Sequence, residues 1–201
     1  ITVQLLKANG CEVIGIDLDK KKCDIAKSYG ASIINPLKED VIKSVNNKTN
    51  MIGVDGVIIA AATKSNDVIS QSAKISRKSG RIILVGVVGL NINRSDFYEK
   101  ELTFQVSCSY GPGRYDNEYE IKGHDYPLGY VRWTEKRNFE CILESISNKK
   151  LKFEELITSQ VPFEKYDKIY GDISSNESIA SILKYKENVS SSKLIEIKSF
   201  N

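Results

Sequence analysis

The sequence predicts an α/β fold in which a doubly wound, mostly parallel sheet carries helices on both faces. Short apolar runs alternate along the first half of the chain with helical patterns, which is the order expected of βαβ units. Two of these runs, 54–62 (VDGVIIAAA) and 81–87 (RIILVGV), are apolar on both faces, as central strands of a parallel sheet must be. Right-handed crossovers then leave few topologies other than the doubly wound sheet.

Local sequence patterns predict each element of the first half. Apolar residues within 2–9 are followed by Gly10, a usual helix stop, and predict a helix. The run EVIGID is of β type, and Asp19 is placed to cap a helix that ends near Gly30. The further elements expected are a strand at 31–35 ended by Pro36, a helix at 38–47, a strand at 54–62, a helix over about 66–77, a strand at 81–87 and a strand at 101–110.

A Tyr-rich insertion at 110–133 interrupts this alternation, and five of the ten tyrosines lie within 110–130. Long loops in compact domains are often functional. After the insertion, the sequence predicts a helix with Thr134 as N-cap, an extended run at 156–163, a helix at 164–173, and a last helix turn and strand at 178–185. The Ser-rich tail 189–201 predicts a linker or tether to a missing domain, so the expected domain covers 1–188.

Composition excludes several classes of protein. No run approaches the roughly 18 apolar residues of a membrane-spanning helix, and the start does not resemble a secretory signal. The net charge of +3 is dispersed, which argues against nucleic acid as a partner. The four cysteines form no Cys-x-x-Cys pair and His124 is the only histidine, so no zinc site is expected in this chain. Reduced cysteines favour a cytoplasmic location.

Asp17 ends the run EVIGID and is the first candidate for a binding residue. In a doubly wound sheet, ligands lie beyond the carboxyl ends of the strands. A carboxylate there can accept two hydrogen bonds from a ribose diol, and its charge repels a 2′-phosphate, which favours NAD over NADP. Lys22, one turn into the next helix, could contact the same hydroxyls. The alternative is that Asp17 only caps that helix.

The other half of such a site is absent from the sequence. A dinucleotide fold places a Gly-x-Gly-x-x-Gly turn between its first strand and first helix, where backbone N–H groups hold the pyrophosphate. This chain begins inside what would be that first helix. The sequence therefore predicts an N-terminally incomplete domain that lacks its first strand, which is a central one, and the Gly-rich turn.

Several segments together resemble one superfamily. The stretches VIGIDLDKKKCDIAKSYGAS, GVDGVIIAAA, SGRIILVGVVG, KELTFQVSCSYG and ITSQVPFEKYDKIY look like the cofactor domain of medium-chain dehydrogenases/reductases, which include zinc alcohol dehydrogenases. The resemblance implies a Rossmann-type NAD-binding domain and hydride transfer between nicotinamide and an alcohol or carbonyl substrate. It also implies a missing catalytic domain, so the fragment alone is expected to be inactive.

A narrower resemblance lies in the insertion and the helix after it, YGPGRYDNEYEIKGHDYPLGYVRWTEKRNFECILE. This segment looks like that of bacterial two-domain oxidoreductases, in which a medium-chain dehydrogenase half is followed by a Gfo/Idh/MocA-type half. Such proteins often belong to surface-polysaccharide gene clusters. The resemblance implies a sugar-type substrate and a role in polysaccharide biosynthesis.

The superfamily resemblance also implies residue roles. Asp17 and Lys22 would bind the adenosine ribose. The ends of later strands would line the adenosine and nicotinamide or border the carboxamide: Ala61, Ala62, Val85, Gly86, Val87, Ser107, Cys108 and Ser109. Plain packing within the sheet is the alternative for these small or apolar residues. No catalytic residue and no metal ligand can be assigned.

The insertion holds a dense set of aromatic and hydrogen-bonding side chains: Tyr110, Arg114, Tyr115, His124, Tyr126, Arg132 and Trp133. Such groups can stack on sugars or bind hydroxyls. They also dominate interfaces, so a partner domain or subunit could be the target. The third possibility is a loop that covers the sheet end. Histidine is the residue type most often used as a general acid, but the sequence shows no orienting partner for His124.

Other functions stay open at this point. A methyltransferase that uses S-adenosylmethionine also has an acid after its second strand, but it ends in an antiparallel strand pair that nothing after TFQVSCSY suggests. A non-catalytic binding or scaffold module is the other alternative. The alternating strand at 101–110, sixth in a complete sheet, could pair with a second copy and form a homodimer.

Overall fold

The computed structural model describes residues 1–172 and 178–186. The chain divides into two compact units, Ile1–Leu151 and Lys152–Asn201. The predicted boundary at 188 and the predicted linker 189–201 lie outside the described residues. No helix within the described ranges has the length and apolar character needed to cross a lipid bilayer.

The first unit alternates strands and helices as predicted, and it has two further short helices, at 94–98 and 117–120, that the sequence analysis did not predict. Its elements are α1 (Thr2–Ala8), β1 (Ile14–Ile16), α2 (Lys20–Ser28), β2 (Ser32–Ile34), α3 (Val41–Lys48), β3 (Val54–Ile59), α4 (Asp67–Ile75), β4 (Ser76–Leu84), α5 (Arg94–Tyr98), β5 (Thr103–Val106), α6 (Asn117–Glu120) and α7 (Glu135–Ser147). The second unit contains β6 (Ile157–Pro162), α8 (Asp167–Asp172) and β7 (Ala180–Lys184).

All strand pairs between these elements are parallel, which confirms the predicted α/β class. In the first unit β1 pairs with β2, while β3, β4 and β5 form a separate sheet in that order. In the second unit β6 pairs with β7. Within the described residues, β1 and β3 each have one neighbouring strand and therefore one open edge.

Two apolar clusters hold the first unit together. One buries Ile59, Ile82 and Leu84 of the larger sheet against Ala73 of α4. The other buries Ile34 of β2, Val41 and Val45 of α3, and Ile75 of α4, with Ile14 and Val57 packed against them. Because Ile14 belongs to β1 and Val57 to β3, the second cluster joins the two sheets through α3.

The three strands of the larger sheet differ in length from the prediction. β3 ends at Ile59, three residues before its predicted end. β4 begins at Ser76, directly after α4, because Ser76 already pairs with Val54 before a register shift. β5 ends at Val106, so residues 107–110 of the predicted strand lie outside it. Ser109 has a φ of 39°, and this left-handed conformation turns the chain away from the sheet.

Lys100 ties the end of α4 to the turn before β5. Its Nζ donates to the carbonyl oxygens of Ala73, Lys74 and Ser76 at 3.1, 2.6 and 2.8 Å. The last carbonyls of a helix lack partners within the helix, so a lysine here satisfies acceptors that would otherwise need water. Burial lowers the pKa of Lys100 from its ordinary value.

We expect Lys100→Met to destabilise the chain by about 1–3 kcal/mol, because three carbonyl oxygens lose a charged donor while the apolar stem is kept. Urea unfolding followed by circular dichroism measures the change. Lys74→Met is the matched control, since the Lys74 side chain is exposed and only its backbone carbonyl takes part in the contact. Equal unfolding free energies for the two variants would contradict this role of Lys100.

Candidate functional site

The predicted cofactor residues follow the carboxyl ends of four strands. Asp17 comes directly after β1, and Lys22 lies in the first turn of α2. The remaining predicted residues follow β3, β4 or β5: Ala61, Ala62, Val85, Gly86, Val87, Ser107, Cys108 and Ser109. All are exposed except Gly86, which is half-buried. The carboxyl ends of parallel strands meet at one edge of a sheet, so β3, β4 and β5 present their residues together.

The residues Asp17–Asp19, here called the acidic loop, connect β1 to α2. Asp19 is the N-cap of α2, and its carboxylate accepts hydrogen bonds from the backbone N–H groups of Lys21 and Lys22 at 2.7 and 3.3 Å. Asp17 Oδ1 accepts the N–H of Asp19 at 2.8 Å. Asp19 rather than Asp17 therefore caps the helix, and the exposed Asp17 carboxylate stands at the end of β1.

Two side chains outside the acidic loop hold its backbone. The Cys23 thiol donates to the carbonyl of Asp17 at 3.3 Å, and Asn35 Nδ2 donates to the carbonyl of Leu18 at 3.1 Å. Burial, followed by the nearby Asp17 and Asp24 carboxylates, raises the pKa of Cys23, which keeps the thiol protonated as a donor. Sequence reasoning missed Asn35, although the Asn-Pro pair after β2 signals an ordered turn there.

The chain segments after β3 and β4 stay paired beyond the ends of the two strands. Val87 N donates to the Ala61 carbonyl at 3.0 Å, and Thr63 N donates to the Val87 carbonyl at 2.9 Å. A Cβ on Gly86 would lie 2.1 Å from the Ala61 oxygen, so this position accepts only glycine. The close approach of these two segments therefore explains why residue 86 is glycine.

Apolar side chains stand exposed at the same ends. Val85, Val87 and Val106 are 58%, 75% and 56% exposed, and Ile16 beside Asp17 is 37% exposed. These residues are not packed within the core. Exposed apolar residues gathered at a sheet edge, with a few polar groups beside them, are typical of a ligand or domain contact.

One open groove lies elsewhere. It has a volume of about 770 Å³ and is lined by α5 and the turn before β5, with Arg94, Tyr98 and Glu101 among its residues. None of the predicted cofactor residues lines it. We therefore place the candidate site at the carboxyl ends of the strands, where the exposed apolar residues and Asp17 lie.

The insertion packs against the N-terminal turn of α7. Arg137 on α7 donates to the carbonyls of Tyr126 and Val131 and to the carboxylate of Asp125. Thr134 is the N-cap as predicted, but its side chain makes no cap hydrogen bond. Instead the first N–H groups of α7 donate to the Pro112 carbonyl at 2.8 Å and the Tyr119 hydroxyl at 3.0 Å.

Contacts within the insertion use several of its predicted binding residues. Arg114 pairs with Glu120, and the Tyr126 hydroxyl donates to Asp116. That hydrogen bond is the main reason the pKa of Asp116 is lowered and that of Tyr126 raised. His124 Nδ1 lies 3.2 Å from Glu118, so the expectation that His124 lacks an orienting partner is wrong.

Other predicted residues of the insertion face solvent. Tyr115 is 74% exposed, and Trp133 is exposed with the Arg132 guanidinium 4.6 Å from its ring centroid. Tyr110 is exposed and its ring lies 5.6 Å from that of Phe139 on α7. The structure thus divides the predicted set into residues that build the insertion and residues available for contact.

Metal-ligating side chains do not come together in the described part of the chain. Across residues 1–172 and 178–186, no three His, Cys, Asp or Glu side chains are grouped so that they could hold a metal ion. The described part of the chain therefore does not supply the ligands of a catalytic zinc centre.

Residues 1–121 match the family of zinc-binding dehydrogenases. The chain belongs to this family. Its curated relatives include a D-guloside 3-dehydrogenase from Escherichia coli, 30% identical over 81% of this chain, and a D-arabitol-phosphate dehydrogenase from Enterococcus avium, 28% identical over 83%. The chain spans 44% and 43% of the lengths of these two relatives.

Solved structures show the same fold. An alcohol dehydrogenase from Thermus sp. ATN1 superposes with a TM-score of 0.72, with 19% identity, over 92% of this chain and 47% of the other. The family match and this structural similarity confirm the predicted cofactor-domain fold of medium-chain dehydrogenases. The fusion to a Gfo/Idh/MocA-type half stays a prediction.

We expect Arg137→Met to open the insertion of this zinc-binding dehydrogenase domain without unfolding the sheet, because three acceptors lose one nearly buried donor. Limited chymotrypsin digestion should cut after Tyr115 or Tyr130 at least several-fold faster, with about the same urea midpoint. Arg132→Met is the control, since the Arg132 guanidinium stacks on the exposed ring of Trp133. Unchanged cleavage in Arg137→Met would show that the insertion is held by other contacts.

Proposed function

We propose that this chain is the cofactor-binding domain of an NAD-dependent dehydrogenase acting on an alcohol or carbonyl group of a sugar-type substrate. The observation that carries the proposal is Asp17, an exposed carboxylate at the carboxyl end of β1 that is not used as a helix cap. The family supports the reaction class. The names of two relatives, a D-guloside and a D-arabitol-phosphate dehydrogenase, support a sugar-type alcohol.

Asp17 would bind the adenosine ribose of the cofactor. Its two carboxylate oxygens can accept hydrogen bonds from both hydroxyls of the diol, and Asp19 N–H orients the side chain through Oδ1. The negative charge would repel a 2′-phosphate, which favours NAD over NADP. Lys22, exposed in the first turn of α2, would assist at the same hydroxyls.

The carboxyl edge of the larger sheet would hold the rest of the cofactor. Val85 and Val87 offer exposed apolar surface for a flat ring, and the tight β3–β4 pairing at Gly86 fixes their position. Ala61, Ala62 and the Ser107–Ser109 segment would border the same space. When bound, the nicotinamide supplies the hydride acceptor or donor, and these residues position it and exclude water.

The open edges of β1 and β3 support a further strand between them. Both strands are parallel to their existing neighbours, and one core cluster joins their sheets. Ile58 of β3 is 43% exposed, which is unusual for a central apolar strand. We propose that another segment of the full-length protein supplies this strand, that a further domain supplies catalysis, and that β5 pairs two copies in a homodimer.

We expect Asp17→Asn in the full-length protein to weaken NADH binding about 10-fold or more and to reduce the preference over NADPH, because one charge-assisted acceptor is lost. Titration followed by NADH fluorescence measures both affinities. Asp24→Asn is the matched control, since Asp24 is an exposed carboxylate on α2 paired with Lys20. Unaltered affinity and preference in Asp17→Asn would refute the proposed role.

The open strand edges allow a separate test. In the full-length protein, we expect amides in β1 and β3 to exchange with deuterium far more slowly than amides of exposed loops, because a pairing strand would protect both edges. Hydrogen–deuterium exchange followed by mass spectrometry measures this. Fast exchange at the β3 amides that point away from β4, with slow exchange at buried Ile82 of β4 as the internal standard, would argue against a strand between β1 and β3.

The methyltransferase alternative has no support in the family match. Titration with S-adenosylmethionine beside NADH distinguishes the two cofactors directly. A domain that binds NADH without turnover would fit the proposal for the isolated chain, whereas binding of S-adenosylmethionine alone would overturn it.

A further inference from the structure

Asn35 connects two loops at the carboxyl ends of neighbouring strands. It directly follows β2, and its Nδ2 donates across the loops to the carbonyl of Leu18 at 3.1 Å. Leu18 is the middle residue of the acidic loop and the next residue after Asp17. The Asn35 side chain therefore fixes the backbone next to the carboxylate that is proposed to bind ribose.

The orientation of the Asn35 amide is set by its own turn. Oδ1 accepts the N–H of Leu37 at 2.9 Å, while the Asn35 carbonyl accepts the N–H groups of Lys38 and Glu39 at 2.9 and 3.2 Å. Pro36 fixes φ in the same turn and has no N–H. A flipped amide would place its oxygen against the Leu18 carbonyl, so the network leaves one orientation.

The turn itself does not need the contact with Leu18. An Asx turn uses only the side-chain oxygen of Asn35. The turn does not use the amide nitrogen, which instead donates to Leu18, 17 positions away in the chain. Together with the Cys23 thiol on the Asp17 carbonyl, it satisfies two consecutive carbonyls of an exposed loop and restricts its backbone.

We infer that Asn35 is a positioning residue, which holds the acidic loop in the shape that presents Asp17 to the ribose diol. The inference rests on the proposed function of Asp17. Asn35 acts through the Leu18 carbonyl and needs no contact with the nucleotide. Without that contact the loop gains freedom, and nucleotide binding must order it again, which lowers affinity.

A double-mutant cycle in the full-length protein tests this inference. Asn35→Ser keeps a hydroxyl that can accept from Leu37 N–H but is too short to reach Leu18. We expect it to weaken NADH binding about 5- to 10-fold in the wild-type background and less than about 2-fold in the Asp17→Asn background. The preference for NADH over NADPH should narrow in the first case only.

Asn35→Asp provides a second, isosteric variant if Asn35→Ser fails to fold. It keeps the Leu37 hydrogen bond but sets a carboxylate oxygen against the Leu18 carbonyl, so we expect a loss of NADH affinity at least as large in the background that contains Asp17. Thr49→Ala is the stability control. Thr49 Oγ1 accepts Gly53 N–H at 3.1 Å and donates to the Val45 carbonyl at 2.8 Å at the other end of α3. It should lower the unfolding free energy with unchanged nucleotide preference.

The outcomes separate the two hypotheses. Equal effects of Asn35→Ser in both backgrounds, or no effect in either, would overturn the positioning role while Asp17 kept its own. If Asp17→Asn leaves affinity and preference unchanged, the proposed function fails and this inference fails with it. A loss of NADH affinity in Asn35→Ser that occurs only in the background containing Asp17 supports both the proposed function and the positioning role of Asn35.

Discussion

The packing of α3 across two separate sheets is the contact on which the rest of the first unit depends. Val41 and Val45 bury themselves against Ile34 of β2, while Val57 of β3 packs on the same cluster. Within the described residues, no strand pairing connects β2 to β3. Burial of apolar side chains therefore holds the two sheets together in place of hydrogen bonds between strands. Since α3 fixes β1 and β2 relative to β3, it also fixes where the acidic loop lies.

Polar contacts then refine what the apolar core positions. The acidic loop is exposed, yet its carbonyls at Asp17 and Leu18 are satisfied by Cys23 and Asn35. The segments after β3 and β4 are held by backbone pairs around Gly86. In both places, hydrogen bonds hold an exposed segment of the backbone in one conformation. Such order at a surface is expected where a ligand must be recognised at low entropic cost.

Residue type alone leaves the role of the insertion open. A high density of Tyr, Arg, Asp and His predicts a binding surface, but Arg114 and Tyr126 are engaged by Glu120 and Asp116 within the insertion. Arg137, which no sequence pattern singled out, holds the segment through Asp125 and two carbonyls. Tyr115 and Trp133 keep their exposed faces. The pairing partners are several residues apart in an irregular segment, so no periodicity could reveal them.

Local patterns were enough to predict the strands and helices from α1 to β4, the parallel pairing and the cap at Asp19, but not the short helices α5 and α6. These features follow from side-chain periodicity and from short-range hydrogen bonding, both of which depend only on residues close together in the sequence. The bond from Asn35 to Leu18, the clamp of Lys100 on α4 and the close approach at Gly86 depend on which loops meet in space. Only the tertiary structure decided them, because each joins residues that are far apart along the chain, and no local sequence pattern shows that such residues meet.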